Sequence, residues 1–86
     1  MPDIKITSAE ELCRALRRAR RASEQSQDDI AALLKVTRQT LSQWEAGNGS
    51  PGPEQVRTWI AAVNPDAATR EAIGAWMTGA GQEVAR

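Results

Sequence analysis

The stretch from Gln27 to Gly47, QDDIAALLKVTRQTLSQWEAG, decides the fold, because its pattern predicts two short helices joined by a tight turn. In the first half, apolar residues recur at a spacing that places them on one side of a helix: Ile30, Ala31 and Leu34. The pattern breaks over residues 35–37. Thr37 is then a suitable N-cap for a second helix that runs from Arg38 to about Ala46.

The second predicted helix has two unlike sides. At 100° per residue, Leu41, Trp44 and Glu45 fall together on the side that faces the protein interior. The opposite side is mostly polar and consists of Gln39, Ser42, Gln43 and Ala46, with Arg38 in the first turn. Arginine can form paired hydrogen bonds to guanine, and glutamine to adenine, in the major groove of DNA. The outward side therefore predicts either base readout or an ordinary solvated surface.

These residues resemble the phage repressor/Cro-type (xenobiotic-response-element-like) helix-turn-helix family, in a form common among small bacterial regulators. The resemblance is contiguous from Ser26 to Gly47 and looser from Leu12 to Val63. It implies an all-α fold of five short helices, a lambda-repressor-like helix-turn-helix domain that binds DNA. The residues that carry it are Ser26, Gln27, Ile30, Ala31, Leu34, Val36, Thr37, Gly47 and the run from Arg38 to Glu45.

Two places depart from the family pattern. The turn between the two helices usually carries Gly or Asn, where a positive φ costs little, whereas this chain has Lys35. The link before the second helix usually carries Gly and then a hydrophobe, whereas this chain has Glu24 and Gln25. These departures bear on the turn geometry and on the end of the first helix, and not on the motif itself.

The outward side of the recognition helix and its surroundings supply the candidate DNA contacts. We assign base readout to Arg38, Gln39 and Gln43, with Ser42 in a secondary role. We assign contacts with the DNA backbone to Ser26, Gln27 and Asn48. The first two of these stand at the start of a helix, where main-chain amides and an amide side chain can meet a phosphate.

Two charged residues fall where apolar residues are expected. Arg20 lies four residues after Leu16, on the inward stripe of the first predicted helix, and Glu45 lies on the inward side beside Leu41. In the resembled family, an arginine and a glutamate at these positions form a largely buried ion pair. Breaking such a pair typically costs about 3–5 kcal/mol. The alternative is that the two side chains are solvated independently.

Eighty-six residues make one small domain, near the size at which a single core is only just sufficient. We divide residues 1–86 into an N-terminal arm, residues 1–7, a four-helix core, residues 8–63, and a C-terminal helix with a frayed tail, residues 64–86. The helix-turn-helix occupies residues 27–46. Phe and Tyr are absent, so three tryptophans and the aliphatic residues must fill the core.

The N-terminal segment combines an arm with the start of the first helix. Ile4 and Ile6 alternate around Lys5, which predicts either a brief strand paired with a partner chain or a disordered arm. Ser8, followed three residues later by Glu11, has the spacing of a capping box. The single cysteine, at position 13, excludes an internal disulfide, and we expect it to be a small buried hydrophobe rather than a reactive thiol.

Two further helices follow the motif. Pro53 opens a fourth helix that runs to about Val63, and Asp66 caps a fifth that runs to about Gly79. Gly74 inside the fifth helix lowers its stability by about 1 kcal/mol relative to Ala. Its apolar residues are candidates for a dimer interface, and could instead cap the core of the monomer: Ile73, Trp76 and Met77.

Basic residues are concentrated around the motif, although the net charge of the chain is zero. Seven of the eleven Lys and Arg residues lie between residues 14 and 38, whereas the segment after Arg38 holds three basic residues and five acids. Among the seven, Arg14, Arg18 and Arg21 share one side of the first helix, where they either keep it soluble or contact phosphate. This uneven distribution favours a nucleic-acid-binding surface at the motif.

Several other classes of protein are excluded. The chain has no His, no nucleophile–base constellation, no metal-ligand spacing and no phosphate-binding glycine loop, so we expect no enzyme, metal or cofactor. Asp28 and Asp29 point about 100° apart and suit the positive end of a helix dipole rather than a catalytic site. No run approaches the roughly 20 apolar residues of a membrane span, and no signal-peptide pattern is present. A cytoplasmic protein without membrane contact is therefore expected.

The expected function is sequence-specific binding of double-stranded DNA by a transcriptional regulator, a repressor that acts as a homodimer on a palindromic operator. One alternative is an antitoxin-like regulator whose main partner is a toxin protein, a contact that an exposed Leu33 and the tryptophan-bearing last helix would serve. Another is a protein-interaction module without DNA binding, for which the zero net charge is the best support.

Overall fold

Five α-helices and no strand make up residues 5–78, the part of the chain that the computed structural model describes. This architecture confirms the all-α prediction. Ile4 of the arm and the tail after Gly81 lie outside the described residues. The helices are α1 (Ala9–Ala22), α2 (Gln27–Leu34), α3 (Arg38–Glu45), α4 (Pro53–Val63) and α5 (Ala67–Met77).

Short polar side chains satisfy main-chain amides at the starts of the later helices. The Thr37 hydroxyl accepts a hydrogen bond from the Thr40 amide at 3.0 Å, and the Asp66 carboxylate accepts one from the Thr69 amide at 2.9 Å. Both predicted N-caps are therefore confirmed. Pro53 occupies the first position of α4, as predicted. A backbone N–H at this position would have no acceptor within the helix, so proline loses no hydrogen bond there.

The capping box predicted at α1 is only half formed. Ser8 accepts a hydrogen bond from the Glu11 amide at 3.1 Å, but the Glu11 carboxylate accepts from the hydroxyl and amide of Thr7 instead of closing the box. These two bonds lower the pKa of Glu11. The complete capping box lies at α2, where Ser26 and Asp29 each accept from the other's amide. Asp29 thus has a structural role in addition to its place at the helix dipole.

One apolar core connects all five helices, and α1 is the common neighbour of α3, α4 and α5. Helix α1 packs against α3, α4 and α5, while α2 packs against α3 and α4. Each helix contributes at least one side chain that is fully buried or nearly so: Leu12, Leu16, Ile30, Leu41, Trp59 and Ile73. Helix α3 is therefore held between α1 and α2, with one side turned inward.

The N-terminal arm is anchored by Ile6, which is buried in the same core. Residues 5–7 form no strand within the chain and Ile6 is buried, which argues against a disordered arm here, whereas pairing with a partner chain stays a prediction. The reason for the burial is local, because the bonds from Thr7 to Glu11 turn the chain onto α1 and bring Ile6 against the core. Burial of Cys13 is confirmed, and desolvation raises the pKa of its thiol.

Helix α5 belongs to the monomer core, which corrects part of the interface prediction. Ile73 is completely buried within the chain and has no surface left for a partner, so its assignment to a dimer interface is wrong. Trp76 and Met77 are partly buried against the same core. A chain truncated after Asn64 would lose Ile73 and uncover the part of the core where α5 packs on α1, so we do not expect it to fold intact.

The link after α1 and the turn between α2 and α3 both use left-handed backbone conformations at non-glycine residues. Lys35 has φ 60° and ψ 42°, and Glu24 has φ 61°. The turn therefore keeps the geometry for which the resembled family uses Gly or Asn, and Lys35 adopts it at a cost of about 1–2 kcal/mol. Helix α1 ends at Ala22, two residues before Glu24.

Candidate nucleic-acid interface

Helix α3 presents a polar face because its apolar residue Leu41 is fully buried, which turns the opposite side of the helix outward. The opposite face borders an open hollow of about 460 Å³. This hollow is lined by Gln27, Arg38, Gln39, Ser42, Gln43, Ala46 and Asn48. The structure thus brings all four predicted base-reading residues together with two of the three predicted backbone contacts.

A buried ion pair joins α3 to α1 behind this face. Arg20 Nε lies 2.7 Å from Glu45 Oε2, and Arg20 Nη2 lies 3.0 Å from Glu45 Oε1. The two residues are only 8% and 7% exposed. The third guanidinium nitrogen of Arg20 donates to the carbonyl of Gln25 at 2.9 Å. Such a two-pronged contact fixes direction as well as distance, so it sets how α3 sits on α1.

Gln27, at the start of α2, extends this network to the exposed face. Its Nε2 donates to Glu45 Oε1 at 3.0 Å, and its Oε1 accepts from Arg38 Nε at 3.4 Å. Because a carboxylate can only accept, Glu45 determines which end of the Gln27 amide faces Arg38. The Arg38 guanidinium also lies 3.9 Å from the Asp28 carboxylate. Gln27 therefore positions the first residue of α3, a role that the sequence analysis did not assign.

A second open cleft, of about 480 Å³, runs along one side of α3 between the end of α1 and the start of α2. Ser26, the third predicted backbone contact, lies here rather than beside Asn48. The cleft and the hollow on α3 share Gln27, Arg38, Ser42 and Ala46, so the two form one continuous surface. We call this combined area the α3 surface.

The arginines that share one side of α1 in the sequence pattern do not share one surface in the fold. Arg14 pairs with Glu10 at 3.2 Å, on an exposed part of α1. Arg18 lines a separate groove against the α4–α5 connection. Arg21 lines the cleft beside α3, where it is joined by Arg17, which the sequence analysis did not single out. The spacing could have indicated this, because Arg17 lies between the inward-pointing Arg20 and Arg21 around the axis of α1.

Comparison with families of known proteins agrees with this geometry. The model of the family described as "Helix-turn-helix domain" matches residues 11–73, most of the chain. The chain belongs to the helix-turn-helix domain family. Such domains bind DNA and are not of a catalytic kind. Comparisons with curated proteins and with solved structures gave no match.

The loop after α3 completes the helix-turn-helix surface. The Asn48 amide donates to the carbonyl of Gln43 at 2.8 Å, which closes the end of α3 and leaves Asn48 exposed beside it. Gly49, with φ 111°, allows this turn, because a Cβ there would lie 3.1 Å from a ring carbon of Trp44. This turn therefore places Asn48, a predicted backbone contact, beside the residues that are predicted to read bases.

The described part of the domain contains neither a group of metal ligands nor a membrane-spanning helix. Among residues 5–78, no group of three or more His, Cys, Asp or Glu residues is arranged to hold an ion. Over the same residues, no helix is both long enough and apolar enough to cross a membrane.

Proposed function

We propose that this helix-turn-helix domain is a sequence-specific transcriptional regulator of the phage repressor/Cro type. The observation that carries the proposal is the exposed face of α3, on which Arg38, Gln39, Ser42 and Gln43 stand together above a buried Leu41. In an ordinary solvated helix these side chains would need no fixed orientation. Here Arg38 is oriented by Gln27, which is in turn oriented by a buried carboxylate.

In the proposed complex, α3 lies in the major groove of double-stranded DNA. Arg38 forms paired hydrogen bonds to guanine O6 and N7, while Gln39 and Gln43 do the same to adenine N6 and N7. Ser42, which also faces the groove, has a secondary role. Ser26, Gln27 and Asn48 contact the DNA backbone and hold the helix in register.

Main-chain amides at the start of α2 can supply contacts with the DNA backbone. The capping box uses the amides of Ser26 and Asp29. The amides of Gln27 and Asp28 have no intrahelical acceptor, because they belong to the first turn of the helix. A phosphate that approaches this end meets two free donors and the positive end of the helix dipole.

A homodimer on a palindromic operator is part of the proposal. A single recognition helix covers only a few base pairs, which gives little discrimination against competing genomic sites. Two copies related by a two-fold axis place their α3 helices about 34 Å apart, one turn of DNA. Trp76 and Met77 are the remaining predicted interface residues, and both keep part of their surface exposed. Repression follows if the dimer occupies an operator that overlaps a promoter.

Selection from random duplexes tests the proposal. We expect the full chain to enrich a short motif with two-fold symmetry, and its affinity to fall steeply as salt is raised. Enrichment of a motif without symmetry would retain DNA binding and reject the dimer. A chain that enriches no motif, and whose weak binding ignores salt, would be a protein-interaction module without DNA binding.

A second candidate function is favoured by Leu33, whose large apolar side chain is 51% exposed on α2. An antitoxin-like regulator could use this residue to hold a toxin protein while α3 binds DNA. Leu33 lines neither the cleft nor the hollow that together form the α3 surface. Leu33→Glu should therefore leave DNA affinity unchanged. Loss of a co-purifying protein from this variant, but not from the unaltered chain, would support the antitoxin-like role.

A further inference from the structure

We propose that Arg17 and Arg21 of α1 form a phosphate clamp on the same duplex that α3 reads. This inference rests on the proposed function and adds residues that lie outside the helix-turn-helix motif itself. Arg17, Arg20 and Arg21 are spaced i, i+3 and i+4, so they lie on one side of α1. Because Arg20 is bonded to Glu45 of α3, its two neighbours are brought to the cleft beside α3.

The charge of this cleft selects an anion. Four arginines line it, whereas the acids among its lining residues are Asp28 and Glu45. Glu45 is neutralised by Arg20, and Asp28 lies 3.9 Å from the Arg38 guanidinium. Within residues 5–78, neither Arg17 nor Arg21 has an ion-pair partner, and both are exposed. Two unpaired guanidinium groups therefore remain to attract a negative ligand.

The position of the cleft identifies that anion as the DNA backbone. The cleft is continuous with the base-reading hollow through Arg38 and Ser42, and the start of α2 opens into it with its free amides. When α3 enters the major groove, the phosphates along one edge of that groove must pass over the cleft. The base-reading residues Gln39 and Gln43 line the hollow but not the cleft, so the clamp is separate from them.

The clamp also explains how a chain of zero net charge can bind a polyanion. Exposed charges more than a Debye length apart, about 8–10 Å at moderate salt, are largely screened from each other, so the local arrangement outweighs the total. Arg17 and Arg21 concentrate positive charge beside α3, while most acids of the C-terminal half lie on other elements. The guanidinium group also suits phosphate because it can donate two parallel hydrogen bonds.

A matched pair of double variants tests the clamp. Arg17→Gln with Arg21→Gln removes two charges from the cleft, whereas Arg14→Gln with Arg18→Gln removes two from other surfaces of the same helix. Binding of the full chain to its selected duplex is measured by fluorescence anisotropy at several salt concentrations. We expect the cleft variant to reduce the slope of log affinity against log salt by about 1 for each arginine, with equal weakening on matched and mismatched duplexes.

The control variant should keep the slope of the unaltered chain, and both variants should unfold at similar temperatures because all four side chains are exposed. Restoring charge with Arg17→Lys and Arg21→Lys should recover most of the slope. An unchanged slope in the cleft variant, or an equal change in the control, overturns the clamp while leaving DNA binding in place. If the unaltered chain shows no salt-dependent duplex binding, the proposed function falls and the clamp falls with it.

Discussion

Helices α3 and α5 both pack on α1, but they are attached to it in different ways. Helix α3 buries Leu41 and is also fastened by the ion pair between Arg20 and Glu45. Helix α5 buries one residue completely, Ile73, while its other apolar side chains are only partly covered. The shorter helix therefore has the more directional attachment.

This difference in attachment indicates how precisely each helix has to be oriented on α1. Apolar burial stabilises a helix at many slightly different rotations, because the hydrophobic effect has no preferred direction. A two-pronged ion pair is satisfied at one setting, so it can hold a recognition surface to within a fraction of an ångström. We infer that α3 needs a fixed orientation for its DNA contacts, whereas α5 only needs to cover the core.

The largest expected effect comes from breaking the attachment of α3. Glu45→Ala or Arg20→Ala should each lower the free energy of unfolding by about 3–5 kcal/mol, because each leaves a buried charge unpaired. The double variant should lose clearly less than the sum of the two. Urea denaturation of all three variants measures this coupling, with Arg14→Ala, which breaks an exposed ion pair, as the control. Additive losses would show that the contact between Arg20 and Glu45 carries no coupling energy.

The corresponding change in α5 is Ile73→Ala. It should cost about 2–5 kcal/mol through the cavity left in the core. Below its unfolding temperature, however, this variant should retain the base preference of the unaltered chain, since no directional bond to α3 is lost. Thermal unfolding and repeated duplex selection check the two halves of this prediction. A shifted base preference would mean that α5 also orients the recognition surface, which would remove the contrast with α3.

Substitutions on the outer face of α3 should change base preference and leave stability nearly unchanged, which is the opposite of the effect expected for Ile73→Ala. Gln39→Ala and Gln43→Ala should each relax preference at one or two operator positions by about 1–3 kcal/mol while the domain stays folded. Affinity on matched and singly mismatched duplexes separates the positions. Uniform weakening on every duplex would instead identify a backbone contact. Gln27→Ala is expected to weaken all duplexes and also to reduce preference at the base that Arg38 reads.

The smallest effects come from backbone changes near each helix. Gly74→Ala should stabilise α5 by about 1 kcal/mol, because Gly74 lies inside the helix and a Cβ there meets no atom within 4 Å. Lys35→Gly should stabilise the turn before α3 by a similar amount, about 1 kcal/mol, by removing the strain at φ 60°. Ala32→Gly, inside α2, is the control and should destabilise by about 1 kcal/mol. Thermal unfolding measures all three.

Much of this structure could be predicted from the sequence because the signals are local. The helix starts at Arg38 and Pro53, and the caps at Thr37 and Asp66, depend on a few adjacent residues whose bonds close within one turn. The polar face of α3 follows from helical periodicity alone. The left-handed conformation at Lys35 is what the resemblance to the helix-turn-helix family implies, since that family has Gly or Asn at this turn.

The rest depends on which elements pack together, and periodicity does not contain that information. Ile73 has the same pattern whether it meets α1 of its own chain or a partner, so only the fold shows that it is buried. Ile6 is likewise buried because the bonds from Thr7 to Glu11 turn the chain inward. The link from Gln27 to Arg38 joins residues eleven positions apart on two helices, and no local rule predicts it.

Under the proposed function, the amide of Gln27 also limits how the operator preference of this family member can evolve. Since Glu45 occupies the donor end of that amide, residue 38 is held only if it can donate a hydrogen bond. An acidic residue at 38, which would read cytosine, therefore requires a second change at 27 that reaches the buried ion pair. Gln39 and Gln43 stand outside this chain of bonds. A duplicated copy of the gene could therefore acquire a new operator through single mutations at those two positions. In libraries randomised at 38, 39 and 43, functional variants should carry their changes mainly at 39 and 43.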